Sequence, residues 1–157
     1  MSIKISGASL FATASTSLLS GATRATIACR IKLDPAGSPL AAGANLFGRS
    51  DGKGFGISGL SLFSMPALRF GVSSQVGTTL SYSFNVIAGR AYHLVATWDS
   101  TAPQQLIYLD GRVVARIATL APLQSVCATS TLQLGSSTQA AGAIFSVQDC
   151  SLWSNAV

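Results

Sequence analysis

The chain has 157 residues, 48% of them hydrophobic and only 10% charged, with a formal net charge of +5. At about 100–200 residues per domain the whole of 1–157 reads as a single domain, large enough to bury roughly 70% of its unfolded surface without a disulfide or metal. Gly, Ser, Thr or a charge interrupts every apolar stretch, which excludes a span of roughly 20 apolar residues across a membrane.

The low charge carries a second message, since ordinary soluble domains have about 25% charged residues. Glutamate is absent, the five acids are Asp34, Asp51, Asp99, Asp110 and Asp149, and mean hydropathy is +0.47. Surfaces this poor in charge and rich in apolar groups belong to protein contacts, so the composition points to assembly, with further copies of the chain as a first partner. The seven arginines and three lysines are scattered singly. Nucleic-acid binding needs clustered cations to displace counterions from phosphates, and is excluded on that ground.

In chain order, residues 1–22 ("MSIKISGASLFATASTSLLSGA") hold one lysine and no compact apolar core, unlike a signal peptide. They form either a first strand or an extended N-terminal arm that orders on a neighbour. "RATIACRIKL" (24–33) alternates, with Ala25, Ile27, Cys29, Ile31 and Leu33 on one face and Thr26, Ala28, Arg30 and Lys32 on the other. This is the pattern of a half-buried strand. In that phase Cys29 is a buried, inert thiol. Cys127 and Cys150 complete an odd set without metal spacing, which leaves room for at most one disulfide. "DPAGSP" is a turn.

Shorter strands follow at "ANLFGR", "GFGISG", "ALRFGVS" and "TTLSYSFNV", then at 92–99, 104–109 and 112–117, and "STLQLGS" and "AIFSVQDCSLW" close the chain. Asp110-Gly111, between two β-rich runs, predicts a hairpin whose two central residues take positive φ. No segment carries a capped 3.6-residue period. About ten to twelve short strands without intervening helices predict an all-β, antiparallel two-sheet β-sandwich.

Two stretches resemble a known family. Tyr92-His93-Leu94-Val95-Ala96-Thr97-Trp98-Asp99, followed by a loop and then Leu106-Ile107-Tyr108-Leu109-Asp110-Gly111-Arg112, is similar to the central strands of laminin-G-like, concanavalin-A-like jelly rolls. "ATIACRIKLDP" resembles the family's early strand, with Arg30 where a Trp is common. "LQLGSS" and "VQDCSLWSNAV" resemble its last two strands. The resemblance implies two stacked sheets of about five to seven strands each, with His93, Tyr108, Asp110, Gly111 and Trp153 as framework residues. Tyr92, Leu94, Ala96 and Trp98 share one face, expected inward, and His93 faces out.

Catalytic equipment is sparse. His93 is the only histidine, so neither a catalytic triad nor a zinc site can be assembled around it. Glycosidases on sandwiches of this kind use two carboxylates some 5–9 Å apart, usually written Glu-x-Asp-x-x-Glu, and this chain has no Glu. "GRSDGKGFG" lacks phosphate-loop spacing and a following helix. The resemblance makes calcium the one cofactor to consider, with Asn45, Asp51 and Asp99 as the available ligands. That set is thin for a cation wanting several oxygens and more than one carboxylate, and Asp51-Gly52 reads more simply as a turn.

Two functions from different classes remain. One is a non-catalytic structural or interaction protein that resembles small phage capsid-decoration or tail-associated proteins. Its partners would be its own copies and a capsid or tail protein, and its place the virion after synthesis in a host cytoplasm. The other is a carbohydrate-binding module or lectin-like adhesin for cell-surface glycans. Trp98, Asp99 and Asp51 are its candidate sugar contacts, and loops such as 47–54, 99–105 and 135–142 would form the site. Of the aromatics, Trp98, Trp153, Tyr82, Tyr92 and Tyr108, most fall in strands at core-like phase.

Overall fold

The computed structural model describes residues 2–6, 10–15, 24–34, 45–49, 56–62, 65–71, 79–84, 87–99, 101–102, 104–118, 131–135 and 144–153. They contain twelve strands and no helix: β1 Ser2–Ser6, β2 Leu10–Ser15, β3 Arg24–Leu33, β4 Asn45–Arg49, β5 Gly56–Leu62, β6 Met65–Gly71, β7 Thr79–Ser83, β8 Ala91–Asp99, β9 Gln104–Leu109, β10 Arg112–Ile117, β11 Thr131–Gly135 and β12 Ile144–Trp153. No described helix is long and apolar enough to cross a membrane. Two six-stranded antiparallel sheets form the sandwich, in the orders β1-β12-β3-β8-β9-β10 and β2-β11-β4-β5-β6-β7. Of the N-terminal stretch, residues 2–6 pair with β12 in the first sheet and 10–15 with β11 in the second.

The alternation read from "RATIACRIKL" is the alternation of burial. Ala25, Ile27, Cys29 and Ile31 are buried, while Arg24, Arg30 and Lys32 are exposed. β3 and β8 lie side by side with Cys29 opposite Leu94, Ile27 opposite Ala96 and Ile31 opposite Tyr92, and all six are buried. β9 adds Ile107, opposite Ala96, and Gln105 to the same inner layer. Leu80 of β7 is buried too, and β7 meets β9 and β10. The expected inward face of Tyr92, Leu94 and Ala96 is therefore the core. The side chain of Trp98, like Asp51 and Cys127, lies outside the described residues.

Asp110 and Gly111 take φ of 50° and 80°, as the Asp-Gly pair predicts for the β9–β10 hairpin. The turn is tied back to β8. Asp110 N donates to His93 O (2.8 Å), His93 N donates to Asp110 Oδ1 (2.9 Å), and Arg90 Nη2 reaches Asp110 Oδ2 (3.1 Å). Arg90 also sits 5.0 Å over the Tyr92 ring. Tyr92 packs edge-on against Phe84 at 5.2 Å and accepts a hydrogen bond from Ile87 N (2.8 Å). The family-like run thus has a local meaning: it locks the β7–β8 connection and the β9–β10 turn onto one strand.

Truncating Leu94 to Ala removes a core side chain from the buried β3–β8 pair. We expect a loss of about 2–5 kcal/mol in urea unfolding. Val113→Ser on the exposed edge strand is expected to stay within about 0.5 kcal/mol of the parent protein.

Candidate functional site

The outer face of the first sheet is built by the same registers that build the core. Neighbouring strands place Trp153 opposite Thr26, Thr26 opposite Thr97, Thr97 opposite Leu106, and Leu106 opposite Arg116. A second row runs alongside it through Ser151, Ala28, Val95, Tyr108 and Val113. On the hairpin side comes a third row, Gln148, Arg30 and His93. On the opposite side Arg24, Asp99 and Gln104 form a fourth.

Between the polar third and fourth rows the surface is hollow. An open groove of about 520 Å³ is lined by Thr26, Ala28, His93, Val95, Thr97, Tyr108, Gly111 and Trp153. Ala28 is its floor: it points outward in phase yet is only 6% exposed, sunk between Val95 and Ser151. Trp153, 40% exposed, stands at one end. A neighbouring hollow of about 480 Å³ continues over Gln104, Leu106 and Val113 to Arg116. Together they make a trough perpendicular to the strands, with aromatic rings and threonine hydroxyls along an apolar bed.

Trp153 departs from the core-like phase expected of the strand aromatics. A β-bulge between Gln148 and Ser151 is the reason: the chain advances three residues in β12 while β3 advances two, with Asp149 at φ 51°. Each bulge of this kind moves every later side chain to the opposite face. The inserted residue brings Trp153 opposite outward Thr26 instead of buried Ala25. Tyr92 is buried as expected, Tyr108 is half-buried in the trough, and His93 faces out beside it.

Charge on this face is largely neutralised in pairs. Arg24 Nε meets Asp99 Oδ2 at 3.0 Å, Arg30 Nε meets Asp149 Oδ2 at 3.7 Å, and Arg90 holds Asp110. Asp99 is the most heavily engaged. Its Oδ1 accepts from Thr101 N (2.8 Å), Thr101 Oγ1 (2.7 Å) and Ala102 N (3.0 Å), while Arg24 also donates to Thr101 Oγ1. Desolvation pushes its carboxyl pKa up, but these hydrogen bonds and the Arg24 charge win, holding it at about 2. A carboxylate already saturated by donors and a guanidinium does not fit the calcium ligand considered from the sequence. Asn45 opens β4 in the other sheet, and Asp51 lies outside the described residues. Among the described residues no group of three His, Cys, Asp or Glu is placed to hold a metal ion.

The described cysteines, Cys29 and Cys150, are free. Burial raises both thiols, Cys29 with a further push from Cys150, and Cys150 to about 11, helped by Asp149. Neither is a nucleophile at neutral pH.

With the fold and trough in view, the comparisons with known proteins decide the family. A laminin-G-type model described as the concanavalin A-like lectin/glucanases superfamily matches residues 6–157. The chain belongs to that superfamily. Among solved structures it is similar to the native heptameric SAP-like pentraxin of Limulus polyphemus (15% identity, 99% of this chain and 70% of that one, TM-score 0.64). The binding domain of Paraclostridial Mosquitocidal Protein 1 is also similar (11% identity, 99% and 40%, TM-score 0.63). So is the binding domain of botulinum neurotoxin DC in complex with SialylT (9% identity, 86% and 33%, TM-score 0.61). The chain thus spans about a third to two fifths of the toxin chains. At these identities the shared property is the fold. No curated protein matches the sequence.

The Asp99 cluster fixes an acid limb for stability. The folded carboxyl titrates near pH 2 and an unfolded one near 3.9. The stabilisation is therefore complete above about pH 4 and is lost as pH falls toward 2. In urea melts the drop in midpoint between those pH values is expected to shrink in Asp99→Asn.

Proposed function

We propose that the protein is a non-catalytic carbohydrate-binding module of the lectin type, holding a saccharide in the trough of the first sheet. The single observation that carries this reading is the pairing of exposed Trp153 and half-buried Tyr108 with the Thr26, Thr97 and His93 side chains in one groove. Sugar rings offer an apolar face for an aromatic and a rim of hydroxyls for polar groups, and amphipathic aromatics suit such half-wet contacts. The lectin superfamily supports it, and so does a toxin binding domain of the same fold in complex with SialylT. Among the described residues no carboxylate lines the groove, so the pair of acids that glycoside hydrolysis requires is not at hand there.

The low charge of the chain and its exposed Ile87 and Val113, each 54% accessible, favour a second reading. In it the domain assembles through apolar surface, as a capsid-decoration or tail-associated virion component if phage-encoded. The two readings are compatible, since a virion protein can carry a glycan site.

Glycan-array binding followed by calorimetry tests the first. Trp153→Ala is expected to weaken binding by about tenfold, the loss of partial burial of one large aromatic, and binding is expected to survive EDTA. An unchanged affinity in that variant removes the trough from consideration. For the second, analytical ultracentrifugation at micromolar concentration is expected to show an oligomer, and a sharp monomer counts against assembly.

A further inference from the structure

Resting on the carbohydrate reading, we infer that the trough takes an acidic oligosaccharide, with one sugar ring against Trp153 and an anionic group of a later ring at Arg116. Both ends of the outer row owe their position to a bulge. In β12 the extra residue brings Trp153 opposite Thr26. In β10 a register shift between Val113 and Ala115 brings Arg116 opposite outward Leu106, where an unbroken ladder would set it against buried Gln105. Bulges recur where a strand must re-aim a side chain, and here two of them aim an aromatic and a cation onto one line.

The line crosses five strands, from Trp153 through Thr26, Thr97 and Leu106 to Arg116. Four steps between strands 4.7–4.9 Å apart make about 19 Å. One sugar ring cannot bridge that distance, so a ligand touching both ends is a chain of several rings lying across the strands. Ala28 lies sunk beside that line.

Charge selects the ligand further. Asp99, Asp110 and Asp149 are each held by Arg24, Arg90 and Arg30. No described carboxylate pairs with Arg116, which is exposed at the mouth of the second hollow. A neutral chain leaves this guanidinium unmatched. A uronate or sialate carboxylate, or a sulfate group, offers it two acceptor oxygens for charge-assisted, two-point hydrogen bonding.

The test is calorimetric titration of the full chain with oligogalacturonides of increasing length and their neutral methyl esters, beside an array of sulfated and sialylated chains with neutral counterparts. The acidic chain is expected to bind about two- to fivefold more tightly than its neutral counterpart at low salt. That preference should appear only once the oligomer spans the trough, and should fade as salt rises. Arg116→Gln erases the acidic-to-neutral ratio and Arg116→Lys restores part of it, with denaturation midpoints unchanged. A ratio that survives Arg116→Gln, or one equally large for the monosaccharide, overturns the inference and leaves the carbohydrate reading standing. Binding of no glycan, or binding indifferent to Trp153→Ala, overturns the carbohydrate reading itself and the inference with it. Sedimentation as a dimer that Trp153→Ala dissociates, without glycan bound, makes the trough a self-contact and overturns both.

Discussion

The register of β3 against β8 is the constraint on which the other features depend. With Cys29 opposite Leu94 and Ile27 opposite Ala96, every odd residue of β3 from Ala25 to Ile31 enters the core. Every even one is left on the outside. A slip of one residue would exchange the two sets, exposing four apolar side chains and burying arginines, so hydrophobic burial alone enforces the pairing. The outer rows are then a by-product of the core: once Ala96 is fixed inward, Val95 and Thr97 must stand beside Ala28 and Thr26. The trough is therefore a property of the sheet itself.

That dependence explains what was legible in the chain. The strand alternation, the Asp110-Gly111 hairpin and the inward set of Tyr92, Leu94 and Ala96 all follow from local pattern, because a period of two and a turn dipeptide are written in neighbouring residues. The direction of Trp153 is not. Read by parity it belongs with Val147, which pairs with buried Ile31, and only the inserted residue near Asp149 reverses it. Asp149 in a left-handed conformation is a faint signal, since Asp visits that region more readily than most residues, yet nothing in the letters alone says that a strand skips there. Arg116 was equally hidden, by the bulge in β10. The same limit applies to Asp99, whose loop position was plain from "WDSTA" while its partner Arg24 lies 75 positions earlier in the sequence and is brought in only by the β3–β8 ladder.

The family-like motif gains a physical explanation from the same registers. His93 is framework through its backbone, whose N–H and C=O both engage Asp110, so its imidazole is left free to face the groove. Asp110 needs a carboxylate to reach His93 N and Arg90 together. Gly111 needs no side-chain room, since a Cβ there would meet nothing within 4 Å; it is required by its φ of 80°, which costs other L-residues roughly 1–2 kcal/mol. Tyr92 completes the clamp from the core side by holding Arg90 over its ring and Ile87 N on its hydroxyl. The hairpin tip is thereby pinned beside the trough, and Gly111 lines its edge.

The described charges on this face serve the fold. Catalytic carboxylates are useful when their pKa is raised toward neutrality or when one acts on a substrate bond. Asp99 shows the opposite tuning, driven down to about 2 by donors from Thr101 and Ala102 and by Arg24. Asp110 and Asp149 are likewise paired with arginines. Acids arranged this way brace loops, turns and a bulge, and they leave the surface between them to rings, methyl groups and hydroxyls. A surface so composed suits the burial of a ligand's apolar face with hydrogen bonds to its rim, the contact on which the proposed carbohydrate reading rests.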